Sequence, residues 1–99
     1  MTSTKEAEVA IARIVTTHIG TAEYDQMRER LGVSDAPPAG GLFHVAAIGD
    51  DGNLRIVEVW ETREQAEAWG DKVAAARQAA DLGEPPSIEY LEVHNIIQP

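Results

Sequence analysis

The stretch GLFHVAAIGDDGNLRIVEVWE, residues 41–61, decides the fold. Two strand-like runs, Leu42 to Ile48 and Leu54 to Glu61, flank Asp50-Asp51-Gly52-Asn53. Asp-Gly supplies the positive φ that a tight hairpin demands, so the segment reads as an antiparallel hairpin. A one-residue slip in its register would exchange the faces of each strand. With Asp51-Gly52 as a two-residue turn, His44 stands beside Val59 and Arg55, and Glu58 and Trp60 share the opposite face with Phe43 and Val45. With a three-residue loop and Gly52 in a bulge, even positions meet even ones. Phe43, Val45, Ala47, Val57 and Val59 then form one wholly apolar face. The second register is preferred because it does not bury Glu58 among packed apolar groups.

On the C-terminal side of the hairpin, Thr62-Arg63-Glu64-Gln65 matches a capping box, and Ala66, Trp69, Val73, Ala76 and Ala80 recur at helical spacing up to Gly83. The interior Gly70 costs this helix about 1 kcal/mol against Ala, which suggests a close approach to the sheet beside Trp69. Glu84-Pro85-Pro86-Ser87 ends the helix, and Ile88 to Ile96 alternates as a last strand. On the N-terminal side, Val9 to Thr17 is β-branched and free of Gly and Pro, which makes it a strand with most of both faces covered. Gly20 breaks that run, Thr21 is the expected cap, and Tyr24, Met27 and Leu31 fall on one helical face before Gly32. Ala36-Pro37-Pro38-Ala39-Gly40-Gly41 then forms a loop leading back to the hairpin.

The order is βαββαβ, an α+β ferredoxin-like arrangement: one four-stranded antiparallel sheet with both helices on one face. Residues 9–99 are expected to form this single domain, with 1–8 a flexible N-terminal tail. The helices can cover one face only, yet the strands carry apolar residues on both. A homodimer packing sheet against sheet would cover the other. With 99 residues, the chain hides only roughly 65% of its unfolded surface, which points the same way.

With the apolar hairpin face assigned to the helices, Leu42, His44, Ala46, Ile48, Ile56, Glu58 and Trp60 are expected to look toward the second sheet. Leu91 and Val93 would pack under the helices, while Tyr90, Glu92, His94 and Arg13 join the mixed face. An apolar wall with a few convergent ionisable groups is the usual form of a small-molecule site.

Composition narrows the possible partners. Hydrophobic residues at 43% and charged residues at 25% are ordinary for a globular domain. A net charge of −9 has the wrong sign for nucleic acid or an anionic membrane surface. There is no cysteine, hence no thiolate chemistry. No signal-like start and no run near ~18 apolar residues is present, so a cytoplasmic location is the expectation. Glycine-rich phosphate loops and paired-histidine metal motifs are absent, and no cofactor or metal is expected.

Gly41-Leu42-Phe43-His44-Val45-Ala46, Ile56-Val57-Glu58-Val59-Trp60-Glu61 before a capped helix carrying Trp69, Thr21-Ala22-Glu23-Tyr24-Asp25, and Val93-His94-Asn95 together resemble the dimeric α/β-barrel superfamily. In particular the chain resembles the small actinobacterial-type proteins grouped with antibiotic-biosynthesis monooxygenases. The resemblance implies two ferredoxin-like sheets closing an α/β barrel in a homodimer, with a largely apolar cavity in each subunit. Members include cofactor-free oxygenases of polyketide aromatics, polyketide cyclases, lactone isomerases and haem-degrading enzymes. The oxygenases use Asn, Trp, Tyr and Arg, of which Trp60, Tyr90 and Arg13 match by type. The helical His of the haem-degrading members has no counterpart in either helix here.

The expected activity is therefore cofactor-independent acid–base chemistry on an apolar aromatic or polyketide-like molecule, of monooxygenase, cyclase or isomerase type. The catalytic candidates are His44, Tyr90, His94, Arg13 and Glu58. His44 would accept a proton, Tyr90, His94 and Arg13 would orient or polarise an oxygen, and Glu58 would orient a histidine or the arginine. Trp60, Leu42 and Ile56 are the expected substrate contacts. Each has a structural alternative. His44 could be a histidine bonded across the sheet, Glu58 an ion-pair member, and Tyr90 a filler reaching solvent. Trp69 and Tyr24 read as core. The alternative for the whole chain is a non-catalytic ligand-binding or stress-response homodimer.

Overall fold

A computed structural model describes residues 9–34 and 36–97; the tail expected over 1–8 lies outside them. The elements follow as β1 (Ile11–Thr16), α1 (Thr21–Arg30), β2 (Gly41–Ile48), β3 (Leu54–Trp60), α2 (Arg63–Ala80) and β4 (Ser87–Glu92). The four strands form one sheet in the order β2-β3-β1-β4, with every neighbouring pair antiparallel. This is the ferredoxin-like βαββαβ architecture.

The hairpin has the three-residue loop. Gly49 and Asn53 close it (N to O, 2.8 Å), Gly52 N–H donates to Gly49 O at 2.9 Å, and Gly52 sits at φ 83°. Asn53 N–H also bonds the Asp51 carboxylate at 2.9 Å. His44 therefore pairs with Glu58, Ala46 with Ile56 and Ile48 with Leu54. At the other end of β2 the register shifts between Gly41 and Phe43, leaving Leu42 as an extra residue in a bulge.

The register matches the sequence reading, but the assignment of its faces is reversed. Ile11, Arg13 and Val15 of β1 and Leu54, Glu58 and Trp60 of β3 are buried, and the core joins Ile11 and Trp60 to Val33, Ala66 and Trp69. The all-apolar face is instead the one turned away from the helices: Phe43 is 49% exposed, Val45 41%, Val57 37% and Leu91 43%. The physical reason lies in helix composition. α1 offers only Met27 as a buried residue and α2 only Ala66, Trp69 and Arg77, so the helices leave open space over the sheet that polar side chains can occupy. The mixed face fills that space.

The ends of the elements differ in detail from the sequence. The N-cap of α1 is Gly20, not Thr21, and its N–H is held by the Glu23 carboxylate at 3.2 Å. Thr62 caps α2 as expected, its hydroxyl accepting Gln65 N–H at 3.2 Å. α2 stops at Asp81, which adopts φ 54° as the C-cap, ahead of Gly83. β4 ends at Glu92; after one more ladder bond, Val93 N–H to Ala10 O at 3.0 Å, the chain leaves the sheet. Gly70 does mark a close approach, since a Cβ there would lie 3.1 Å from the Tyr90 hydroxyl and 3.4 Å from Arg13 Nη2.

Candidate functional site

Antiparallel pairing sets one transverse row across the sheet. His44 of β2 faces Glu58 of β3, Glu58 faces Arg13 of β1, and Arg13 faces Tyr90 of β4. Directly opposed side chains on one face lie within contact distance, so the backbone alone brings these groups together. Glu58 is the hub. Its Oε1 accepts Arg13 Nη1–H and Trp60 Nε1–H, both at 3.0 Å, and its Oε2 lies 3.2 Å from His44 Nδ1. Arg13 and Glu58 are 3% and 4% exposed. A carboxylate buried this deeply survives as an ion only with such partners. Burial alone would raise the Glu58 pKa; the bonds from His44 and Trp60 and the charge of Arg13 outweigh it and hold the group below its ordinary value.

An ionised carboxylate can only accept, so Nδ1 of His44 carries the proton facing Glu58, and in the neutral form of the ring Nε2 is then the acceptor. Nε2 meets the Tyr24 hydroxyl of α1 at 2.5 Å. Burial holds the Tyr24 phenol above its ordinary pKa, with Arg28 opposing and Glu58 reinforcing the shift. A neutral phenol is the donor this bond needs. The chain of groups is therefore Tyr24 O–H to His44 Nε2, and His44 Nδ1–H to the Glu58 carboxylate.

This chain forms part of the wall of a cavity of about 460 Å³ between the helices and the sheet. The sheet contributes Arg13, Val15, His44, Ile56, Glu58 and Ile88; α1 contributes Tyr24, Met27 and Arg28; α2 contributes Trp69, Gly70, Val73 and Arg77. Leu82, Pro85 and Pro86 line the end beyond α2. A second, more open hollow reaches Tyr24, Arg28 and His44 from outside α1. His44 thus borders both hollows. Among the described residues no three His, Asp or Glu side chains converge as metal ligands.

Of the residues singled out in the sequence, Arg13, His44, Glu58 and Ile56 come together at this wall, beneath the helices and not toward a second sheet. Trp60 does not face the cavity. It is 3% exposed in the core, its ring 6.1 Å from that of Trp69, and Trp69 is the indole that lines the space. Leu42 is put out of the site by its bulge and is 45% exposed. His94 is exposed in the irregular chain beyond β4, and Glu92 is exposed on β4. Tyr90 is half-buried against the core, under the Arg63 guanidinium at 4.9 Å, and does not line the cavity. Tyr24 is the partner that sequence reasoning missed. Its spacing with Met27 and Leu31 signals an inward helix face, and nothing local places that face over residue 44.

Among solved structures, the chain is similar to one from Caulobacter crescentus described as a "putative antibiotic biosynthesis monooxygenase". The two match with a TM-score of 0.67 over 90% of this chain and 93% of that one, at 20% sequence identity. The two proteins share one fold. At that identity the likeness extends to the ferredoxin-like architecture and not to an activity. No protein-family model and no curated protein matches the chain.

Proposed function

We propose that the protein is a cofactor-independent acid–base enzyme acting on a small aromatic or polyketide-like molecule in the cavity beneath its helices. The observation that carries this reading is the Tyr24–His44–Glu58 chain at the wall of a largely apolar space. In the proposed step, a carbon acid or phenol in the cavity gives its proton to the Tyr24 oxygen while the Tyr24 proton passes to His44 Nε2. The substrate becomes an enolate or phenolate, and His44 becomes an imidazolium facing the Glu58 carboxylate. Glu58 stays ionised and serves to orient the ring and stabilise its charge. Arg13 and Trp60 hold Glu58 and act through it. Monooxygenation, cyclisation and isomerisation all begin with this proton removal, and the description of the Caulobacter protein agrees with the first of them.

The reading includes a homodimer formed through the outer sheet face, where Phe43, Val45, Val57 and Leu91 present apolar surface. Such a face needs cover, and a second copy presents a self-complementary one. The cavity lies on the opposite side of the sheet, so each subunit keeps its own site.

The test measures deuterium exchange at the acidic carbon of 2-tetralone by NMR. Wild-type protein is expected to accelerate exchange over buffer, and His44→Ala to lose the acceleration while keeping its circular dichroism spectrum and its dimer. No acceleration by wild type would sink the enzymatic reading. Unfolding of His44→Ala together with inactive wild type would favour a ligand-binding dimer in which His44 and Glu58 tie the strands together.

A further inference from the structure

Two arginines in the cavity wall make no hydrogen bond to the Tyr24–His44–Glu58 chain, although the Arg28 guanidinium lies 5.9 Å from the centroid of the Tyr24 ring. Arg77, in the last turn of α2, is 9% exposed, and Arg28, near the end of α1, is half-buried. The chain holds eight Lys and Arg against seventeen Asp and Glu, yet three of the eight line this one cavity. Arg13 is neutralised by Glu58. Among the described residues, neither Arg28 nor Arg77 has a carboxylate within 4.0 Å. The other acid on the wall, Asp81, is exposed and outside that distance.

Both arginines fasten the loop that follows their helix. Arg28 Nη2 donates to Val33 O at 2.5 Å, and Arg77 Nη2 donates to Glu84 O. Each such bond uses one nitrogen of the guanidinium; Arg30, in the same last turn as Arg28, is exposed and does not line the cavity. Among the described residues, the remaining N–H groups of Arg28 and Arg77 make no hydrogen bond, and none of them is sealed from the cavity. Arg77 is nine-tenths buried as a residue, in a wall that includes Leu82 and Pro86, so an anion entering this space meets its charge with little competing solvent.

We infer that the ligand brings that charge: the cavity takes an aromatic acid whose carboxylate, or equivalent phenolate, is bound by Arg77 with Arg28 beside it, the ring lying along Trp69 and Val73. Arginine presents paired donors matched to a carboxylate, and the low-dielectric wall strengthens the contact. The inference rests on the cavity's being the binding site, as proposed above, but not on the proton-transfer step. It narrows the substrate class from apolar aromatics to aromatic acids.

The test is isothermal titration of wild-type protein with 2-naphthoate and with 2-naphthamide, which share a shape and differ in charge. The acid is expected to bind roughly tenfold or more tightly, as loss of a charge-assisted bond implies. Arg77→Met should remove that preference, weakening the acid far more than the amide, and Arg28→Gln should reduce it. Equal affinity for acid and amide in wild type would overturn the inference while leaving the cavity as a binding site. Failure of both probes to bind would overturn the inference together with the cavity reading. A preference that survives in both variants would overturn the assignment to these arginines. If Arg77→Met does not fold, the wild-type comparison and Arg28→Gln still decide.

Discussion

The Tyr24 hydroxyl lies 2.5 Å from Nε2 of His44, joining helix α1 to a strand twenty residues further along the chain. Because the Glu58 carboxylate faces Nδ1 of the same ring, the phenol stands at the end of a polarised chain and not beside an isolated imidazole. Tyr24→Phe removes the terminal donor and keeps the ring. Exchange of the 2-tetralone protons is expected to fall by about a hundredfold, the lower end of what a positioned acid–base group contributes. Stability by urea denaturation should change by about 1 kcal/mol.

Glu58 is the group on which both fold and chemistry depend. Glu58→Gln leaves the Arg13 guanidinium buried without a counter-charge, and denaturation should show a loss of about 3 kcal/mol or more. The same substitution replaces an accept-only carboxylate with a neutral amide that can also donate, so the His44 tautomer is no longer fixed. The His44 imidazolium also loses its counter-charge, and exchange should fall even in the fraction that remains folded.

Stability should fall off on both sides of a plateau in pH. Glu58 has a folded pKa below its ordinary 4.5, so the folded state binds fewer protons there than the unfolded chain. Its contribution is present above about 4.5 and is lost as pH drops through the folded value. Tyr24 has a folded pKa above its ordinary 10.0. Its contribution is present below 10.0 and is lost as pH rises through the folded value. Thermal denaturation across pH should show the acid limb reduced in Glu58→Gln and the alkaline limb reduced in Tyr24→Phe.

Gly70 separates helix propensity from packing. Gly70→Ala gains roughly 0.5–1 kcal/mol of helix propensity but sets a methyl 3.1 Å from the Tyr90 hydroxyl, the movable end of a side chain. The two effects should nearly cancel in urea denaturation. Gly70→Leu must displace Tyr90 or the Arg13–Glu58 pair and should cost about 2 kcal/mol or more.

Val57→Glu places a charge at the centre of the outer apolar face. If that face joins two copies, the variant should elute as a monomer where the wild type elutes as a dimer, and it should still bind 2-naphthoate. A wild type that is monomeric at tens of micromolar would contradict the interface.

Much of this was legible in the residues. The Asp50-Asp51-Gly52 loop fixes the hairpin register, and that register places His44 opposite Glu58; Arg13 joins them only through the pairing of β1 with β3, which the loop does not set. The side of the sheet taken by the helices was not legible. Hydrophobicity favours the face with Phe43, Val45 and Val57, yet the choice depends on whether the helices bring enough apolar volume to fill the space, which no strand pattern records. Leu42 was misread because a bulge breaks the alternation at Gly41. His94 was misread because β4 stops at Glu92, before the alternation does. Tyr24 became part of the site through the way α1 crosses β2, a relation between segments that periodicity within either one does not carry.

The central claim is that His44 presents a free acceptor nitrogen toward Tyr24 because Glu58 holds its other proton. Long-range ¹H–¹⁵N NMR of the histidine rings at neutral pH tests it most directly. Nδ1 of His44 is expected to be protonated and Nε2 unprotonated in the wild type, with this preference weakened in Glu58→Gln, where the amide can turn either its oxygen or its NH2 to the ring. A wild-type His44 ring with its proton on Nε2 and none on Nδ1 would contradict it.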